Sequence, residues 1–208
     1  MKGRERPVSS YKRAIASAFC FIPLLVASSP VRHWTQTSTE TLWRGRYTNC
    51  DKGYSVDLPA GVVAHDTLPP SPNDGFIIST LSAGTTDPVT ATRPGFLAAF
   101  NQYNSGDWRG PQAYLDWELA QTRNAQITNT RHLAFHGLPA FEAEYSAVVD
   151  GRSTWYRVLI VFRDKDDLIY ELMLSTLTRD DVRGTRLYRA IRSGFRIFPI
   201  PLGECVNP

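Results

Sequence analysis

Little in these 208 residues advertises chemistry: there are four histidines, three cysteines and two methionines. No Gly-x-Ser-x-Gly turn is present, which removes the elbow signature of a serine hydrolase. There is no internal repeat and no low-complexity tract, and the length suits one domain. Asp164, Asp166 and Asp167 resemble part of a calcium loop, but the twelve-residue spacing, central glycine and closing glutamate are missing. The apolar run Ala14 to Ala27 carries no charge, yet it is shorter than the ~20 residues of a standard spanning helix.

Charge of one sign is also lacking. The formal net charge is +3, but Lys2, Arg4, Arg6, Lys12 and Arg13 stand at the N-terminus against only Glu5. Without residues 1–28 the chain is close to neutral, so a global case for nucleic-acid binding disappears.

What is there begins with an address. A basic stretch, a short apolar run and the small-x-small site Val26-Ala27-Ser28 make residues 1–28 a signal peptide. Cleavage would start the mature chain at Ser29, exported to a periplasm or the exterior, with no transmembrane anchor left. An uncleaved anchor or a buried helix is the rival reading. Cys20 sits inside the apolar run after Ser17-Ala18-Phe19, which is not a lipidation site. The remaining pair, Cys50 and Cys205, flanks the domain, and an even count in an exported chain favours a disulfide. Closing so long a loop would add about 4–5 kcal/mol in the chain-entropy account.

Residues 29–46 read as a flexible lead-in, 47–198 as one domain and 199–208 as a tail. Tyr54 to Leu58 alternates like a strand. Short strands are expected near 62–65 and over 76–82, with loops at 66–75 and 83–95. Phe96 to Tyr103 is a further strand between breakers. Gly110-Pro111 opens a first helix. Strands follow at 127–135, 138–149, 152–163 and 168–176, the middle pair joined by Asp150-Gly151 as a type I′ hairpin. A closing helix is expected over 179–193, capped by Thr178 and stopped by Gly194, before a last strand at 195–197. The sum is α+β architecture, an antiparallel meander flanked by helices.

This layout resembles the PsbP-like family. The pieces that carry the likeness are Gly53 to Gly61 (GYSVDLPAG), Gly137-Leu138-Pro139-Ala140, Tyr170 to Thr176 (YELMLST) and Ser193 to Ile197 (SGFRI). The resemblance implies an α/β/α sandwich and no catalytic set, since that family is mostly non-enzymatic and includes many exported bacterial proteins of unknown role.

Several side-chain constellations could carry chemistry. His132 and His136 would share a metal on a helix, but on a strand they stand about 13 Å apart. His65-Asp66 could serve a small hydrolase with an unidentified serine. Pairing 149 with 152 across the turn puts Glu144 opposite Arg157 and Ser146 opposite Trp155, a candidate pocket of Glu144, Trp155 and Arg157 beneath the first helix. The other face pairs Tyr145 with Tyr156 and Phe141 with Ile160, which reads as core. The same logic sets Glu171 opposite Ile160, with a rim position beside a helix end as the adopted reading. Finally, Arg179, Arg183, Arg186, Arg189 and Arg192 draw a basic band along the closing helix, continued by Arg196. Its plain alternative is a solvated face opposite Leu187, Tyr188 and Ile191. The expectation is a non-enzymatic extracytoplasmic binding or assembly factor for an anionic protein, lipid or envelope polymer, without metal or cofactor. The alternatives are the His65/Asp66 hydrolase and a purely structural envelope component.

Overall fold

Alternating side chains need both faces of a strand covered differently, and here the coverage comes from two distinct layers. The computed structural model describes residues 42–66, 74–79, 95–104, 106 and 108–200, all within the unit Ser38–Pro208. In chain order the strands are β1 (Leu42–Trp43), β2 (Arg46–Asn49), β3 (Tyr54–Asp57), β4 (Ala64–Asp66), β5 (Asp74–Ser79) and β6 (Phe96–Tyr103). Helix α1 (Pro111–Ala120) follows, then β7 (Gln126–Phe135), β8 (Leu138–Val149), β9 (Arg152–Arg163) and β10 (Leu168–Thr176). Helix α2 (Val182–Gly194) and β11 (Phe195–Ile197) close the described chain.

Eight strands make one antiparallel sheet in the order β1-β4-β5-β6-β10-β9-β8-β7. Three more form a small antiparallel sheet, β11-β3-β2. The α+β class is therefore observed. The β8–β9 hairpin turns at Asp150 and Gly151, with φ of 49° and 75°. Both values are positive, as a type I′ turn requires, and the turn's twist matches that of its strands. His136 and Gly137, at 51° and 80°, repeat the device between β7 and β8.

Odd and even positions go to different cores. Phe141, Ala143, Tyr145 and Ala147 of β8 join Val158, Ile160 and Phe162 of β9 and pack with Tyr114 and Leu115 of α1. Ala140, Leu159, Val161, Tyr170, Leu172 and Leu174 face the opposite way, toward Tyr188 and Ile191 of α2 and toward Tyr54, Val56 and Phe195 of the small sheet. The period of two thus places α1 on one face and α2 with the small sheet on the other. Gly184, Tyr188 and Ile191 are buried along α2 at helical spacing, so its arginines face outward or along the sheet margin.

Four sequence expectations change. The lead-in to residue 46 contains β1 and the start of β2, because Leu42 and Trp43 pair with His65 and Ala64 and Trp43 stacks edge-on against Tyr47 at 5.1 Å. Helix α2 starts at Val182, and its N-cap is Asp181, not Thr178: the Asp181 carboxylate accepts from Gly184 N at 2.9 Å. That cap contributes about 1 kcal/mol. Helix α2 includes Gly194, which the sequence puts just past its end. It is the last helical residue, and a Cβ there would meet Asp57 Cβ and O at 2.9 Å, so the glycine permits close approach to β3. The fourth change concerns Glu171: it does pair with Ile160, but at 5% exposure it is buried and not on a rim.

Candidate functional site

The β8–β9 register decides where the charges stand. Glu144 faces Arg157 and Ser146 faces Trp155, as the turn predicted. Alternation then puts Glu142, two residues back on β8, beside Glu144 on the α2 face. Each glutamate is held between two arginines. Glu144 Oε1 accepts from Arg157 Nε at 2.9 Å and Nη2 at 2.6 Å, while its Oε2 lies 3.5 Å from Arg179. Glu142 pairs with Arg131 of β7 and, at 2.5 Å, with Arg192 of α2. These clamps join β7, β8, β9 and α2. Ion pairs this exposed contribute about 0–1 kcal/mol each, so they set geometry more than stability.

Between α2 and β7–β9 lies a cavity of about 440 Å³. Its wall includes Glu142, Glu144, Arg157, Tyr188, Arg189 and Arg192. Beside it, an open hollow of about 500 Å³ runs past Arg157, Arg179, Arg186 and Arg189. Arg157 and Arg189 line both. Trp155 backs a small recess with Glu144, Arg157 and Arg179, the Arg179 guanidinium standing 5.8 Å over its ring.

The expected pocket residues Glu144, Trp155 and Arg157 therefore come together, but beneath α2 and not beneath the first helix. Even-numbered β8 positions face away from α1, which explains the reversal. The arginine band divides. Arg179 and Arg192 turn back onto Glu144 and Glu142. Arg183, Arg186 and Arg189 are exposed, and among the described residues no carboxylate lies within ion-pairing distance of them. Arg196 donates to the carbonyls of Ser193 and Phe195 at 2.5 and 3.0 Å.

The remaining candidates are scattered. His65 lies on β4, five positions from β8 in the sheet, about 24 Å away at normal strand spacing. It cannot serve a site at Glu144 and Arg157. His132 packs edge-on against Phe141 at 4.7 Å, whereas His136 Nε2 bonds to Phe195 O at 2.8 Å. The two imidazoles thus hold different structural contacts. Among the described residues no His, Cys, Asp and Glu group is placed to hold a metal ion, and no helix is long and apolar enough to cross a membrane. Residues 1–28, the rest of the lead-in to residue 41, the tail from 201 with Cys205, and most of loops 66–75 and 83–95 lie outside the described residues.

Sequence reasoning missed Arg131, Glu142 and Tyr188. The signal was available for the first two: the His136-Gly137 turn pairs 135 with 138, which carries Arg131 opposite Glu142. Tyr188 was read as the packed side of the helix, and it is, with 2% exposure. That it also borders a cavity depends on how α2 sits over the sheet.

No family model matches the sequence, and no curated protein matches it. Solved structures similar to it include the solution structure of cyanobacterial PsbP from Synechocystis, at 15% identity over 82% of this chain and all of that one, with a TM-score of 0.49. The yeast Ran-binding protein Mog1p is 10% identical over 76% of this chain and 96% of that one, TM-score 0.48. LpqN of Mycobacterium tuberculosis, described as involved in cell envelope biogenesis, is 12% identical over 79% and 88%, TM-score 0.39. All three TM-scores lie below 0.5, so the likeness carries no argument about what this chain does.

Proposed function

We propose that this protein is an exported, non-enzymatic binding or assembly factor, built as a PsbP-like sandwich, that docks an anionic partner on the outer face of α2. One observation carries the reading. Three consecutive arginines of the band, Arg183, Arg186 and Arg189, are exposed without a carboxylate partner among the described residues, while their neighbours Arg179 and Arg192 are tied to glutamates. Unneutralised charge at fixed helical spacing attracts an anionic surface and does so less at high salt.

The test is capture from envelope extract at low and high salt, with the wild type beside a triple reversal, Arg183→Glu, Arg186→Glu and Arg189→Glu. The expected result is a defined partner that elutes with salt and is lost on reversal. An identical captured set from wild type and reversal would overturn the reading. Loss on His65→Ala instead would favour the hydrolase alternative.

Export and the Cys50–Cys205 disulfide belong to the same proposal. Phe198 N donates to Gly53 O at 2.9 Å, and Gly53 N donates to Cys50 O at 3.2 Å. The C-terminal strand thus leaves the fold beside Cys50, and five residues beyond Ile200 reach up to about 17 Å. N-terminal sequencing should begin at Ser29, and intact mass should rise by two hydrogens on reduction. A chain beginning at Met1, or one with two free thiols in oxidising medium, would sink this part.

A further inference from the structure

The cavity between α2 and β7–β9 has features that docking on the outer face of α2 does not use. Its lining brings four arginines, Arg131 among them, against Glu142 and Glu144, which leaves two positive charges unmatched. Both glutamates already accept from arginines on either side, so neither needs a ligand. Tyr188 stands in the wall with 2% exposure, and its hydroxyl finds no hydrogen-bond partner among the described residues. A buried hydroxyl left without a partner forfeits the hydrogen bonds it would make in water. Burial raises the Tyr188 pKa, with the nearby glutamate charge adding to it, so the group remains an O–H donor. Arg157 holds the ring from one side, its guanidinium 5.8 Å from the centroid.

The unfilled capacity is therefore donor capacity, in a space of about 440 Å³, within the ordinary size range of small-molecule sites. Donors approach from α2 and from β9. Three guanidiniums and a hydroxyl offer more donors than the two oxygens of one carboxylate can use, and suit the oxygens of a phosphate group. We infer that this cavity binds a phosphate monoester, its dianion matched by Arg157, Arg189 and Arg192 and by the Tyr188 hydroxyl. The inference shares Arg189 with the docking face and deepens that reading by naming a ligand class for the space beside it. The ester reaches the cavity free in solution or as a lipid headgroup.

Titration calorimetry of the protein with inorganic phosphate and with glycerol 3-phosphate, at low ionic strength, tests it. Tyr188→Phe and Arg189→Ala should each weaken binding about tenfold, which is about 1.4 kcal/mol. Melting curves of each variant, with transitions close to wild type, check that both are folded. Arg183→Glu with Arg186→Glu, outside the cavity wall, should leave phosphate affinity within about twofold while abolishing capture of a docked partner. Tyr188→Phe should do the reverse, so failure of one reading is distinguishable from failure of the other. Competition by vesicles containing phosphatidic acid, and none by phosphatidylcholine alone, would assign the group to lipid. Binding of the soluble ester without vesicle competition would assign it to a free metabolite. No binding of either phosphate by the folded protein, equal binding of glutarate, or affinities unmoved by both cavity variants would overturn the inference.

Discussion

Truncating Phe195 to alanine is expected to destabilise the protein by about 3–5 kcal/mol, the cost of removing a fully packed aromatic and leaving its space empty. Phe195 is 2% exposed and opens β11 directly after α2. Its ring stacks on Tyr54 at 5.3 Å and 6°, and meets Phe135 edge-on at 6.0 Å and Tyr170 at 6.3 Å. Those three residues come from β3, β7 and β10. Its carbonyl also bonds to His136 Nε2 at 2.8 Å. One side chain thus locks the end of α2 to the small sheet and to the margin of the large one. In a chain this size, the loss corresponds to a Tm about 6–20 °C lower. Phe195→Leu, which keeps most of the volume, should lose less than half as much. A fall below 3 °C for the alanine variant would mean that α2 is held from elsewhere, and that the cavity beside it does not depend on this cluster. Where the loss is large, phosphate binding should weaken in step with it, since the lining arginines on α2 and the strands no longer share a frame.

The second large effect concerns pH. Beneath α1, on the face away from the arginines, Glu171 of β10 is buried and its Oε2 accepts from Tyr114 at 3.1 Å. Its other oxygen, and Glu118 Oε2 on α1, have no partner among the described residues. Tyr145 and Tyr156 stack beside them at 4.8 Å and offer no charge. Desolvation is the largest cause that raises both carboxyls: Glu118 goes up to about 7, and Glu171 well above the ordinary range, pushed further by Glu118. The folded protein therefore holds protons that the unfolded chain releases above about pH 4.5. Stability is highest where both states are protonated, and it falls as pH rises through the folded values. Urea midpoints should decline from pH 5 to pH 8, by an amount corresponding to about 2–3 kcal/mol. Glu171→Gln keeps the shape and the acceptor for Tyr114 but cannot ionise. It should remove the Glu171 share of that slope, leave the Glu118 share, and be more stable than wild type at pH 8. A wild-type midpoint that is level or rises over this range, or a Gln variant weakened at pH 8, would show that the carboxyls are ionised and paired.

These two sites were unequally legible. Pairing across an even-numbered turn at Asp164–Asp167 put Glu171 opposite Ile160, which is its observed partner. The same reasoning assigned it to a rim, because strand register says nothing about what covers a strand. Only the seating of α1, through Tyr114 and Leu115 on β8 and β9, buries it. The Glu144–Arg157 pair was likewise read correctly as a pair and placed under the wrong helix. An alternating strand has two faces, and the sequence of one hairpin does not say which helix lies over which face. For the arginine band, spacing along α2 was enough to draw it. It was not enough to separate Arg179 and Arg192, drawn back to Glu144 and Glu142, from the three that have no carboxylate partner among the described residues.

By itself, then, the sequence determined what neighbours within a dozen residues can decide. Alternation and turn chemistry set the strands from β7 to β10, the two type I′ turns and the hairpin registers, since period and φ preference act locally. The tertiary structure alone decided the rest. It set β6 beside β10, joined β11 to β3 across more than a hundred residues, and laid α2 over the Glu142 and Glu144 side of the sheet. Those choices follow from burying two separate apolar faces at once. That is a condition on the whole chain, and no short stretch of it carries the answer.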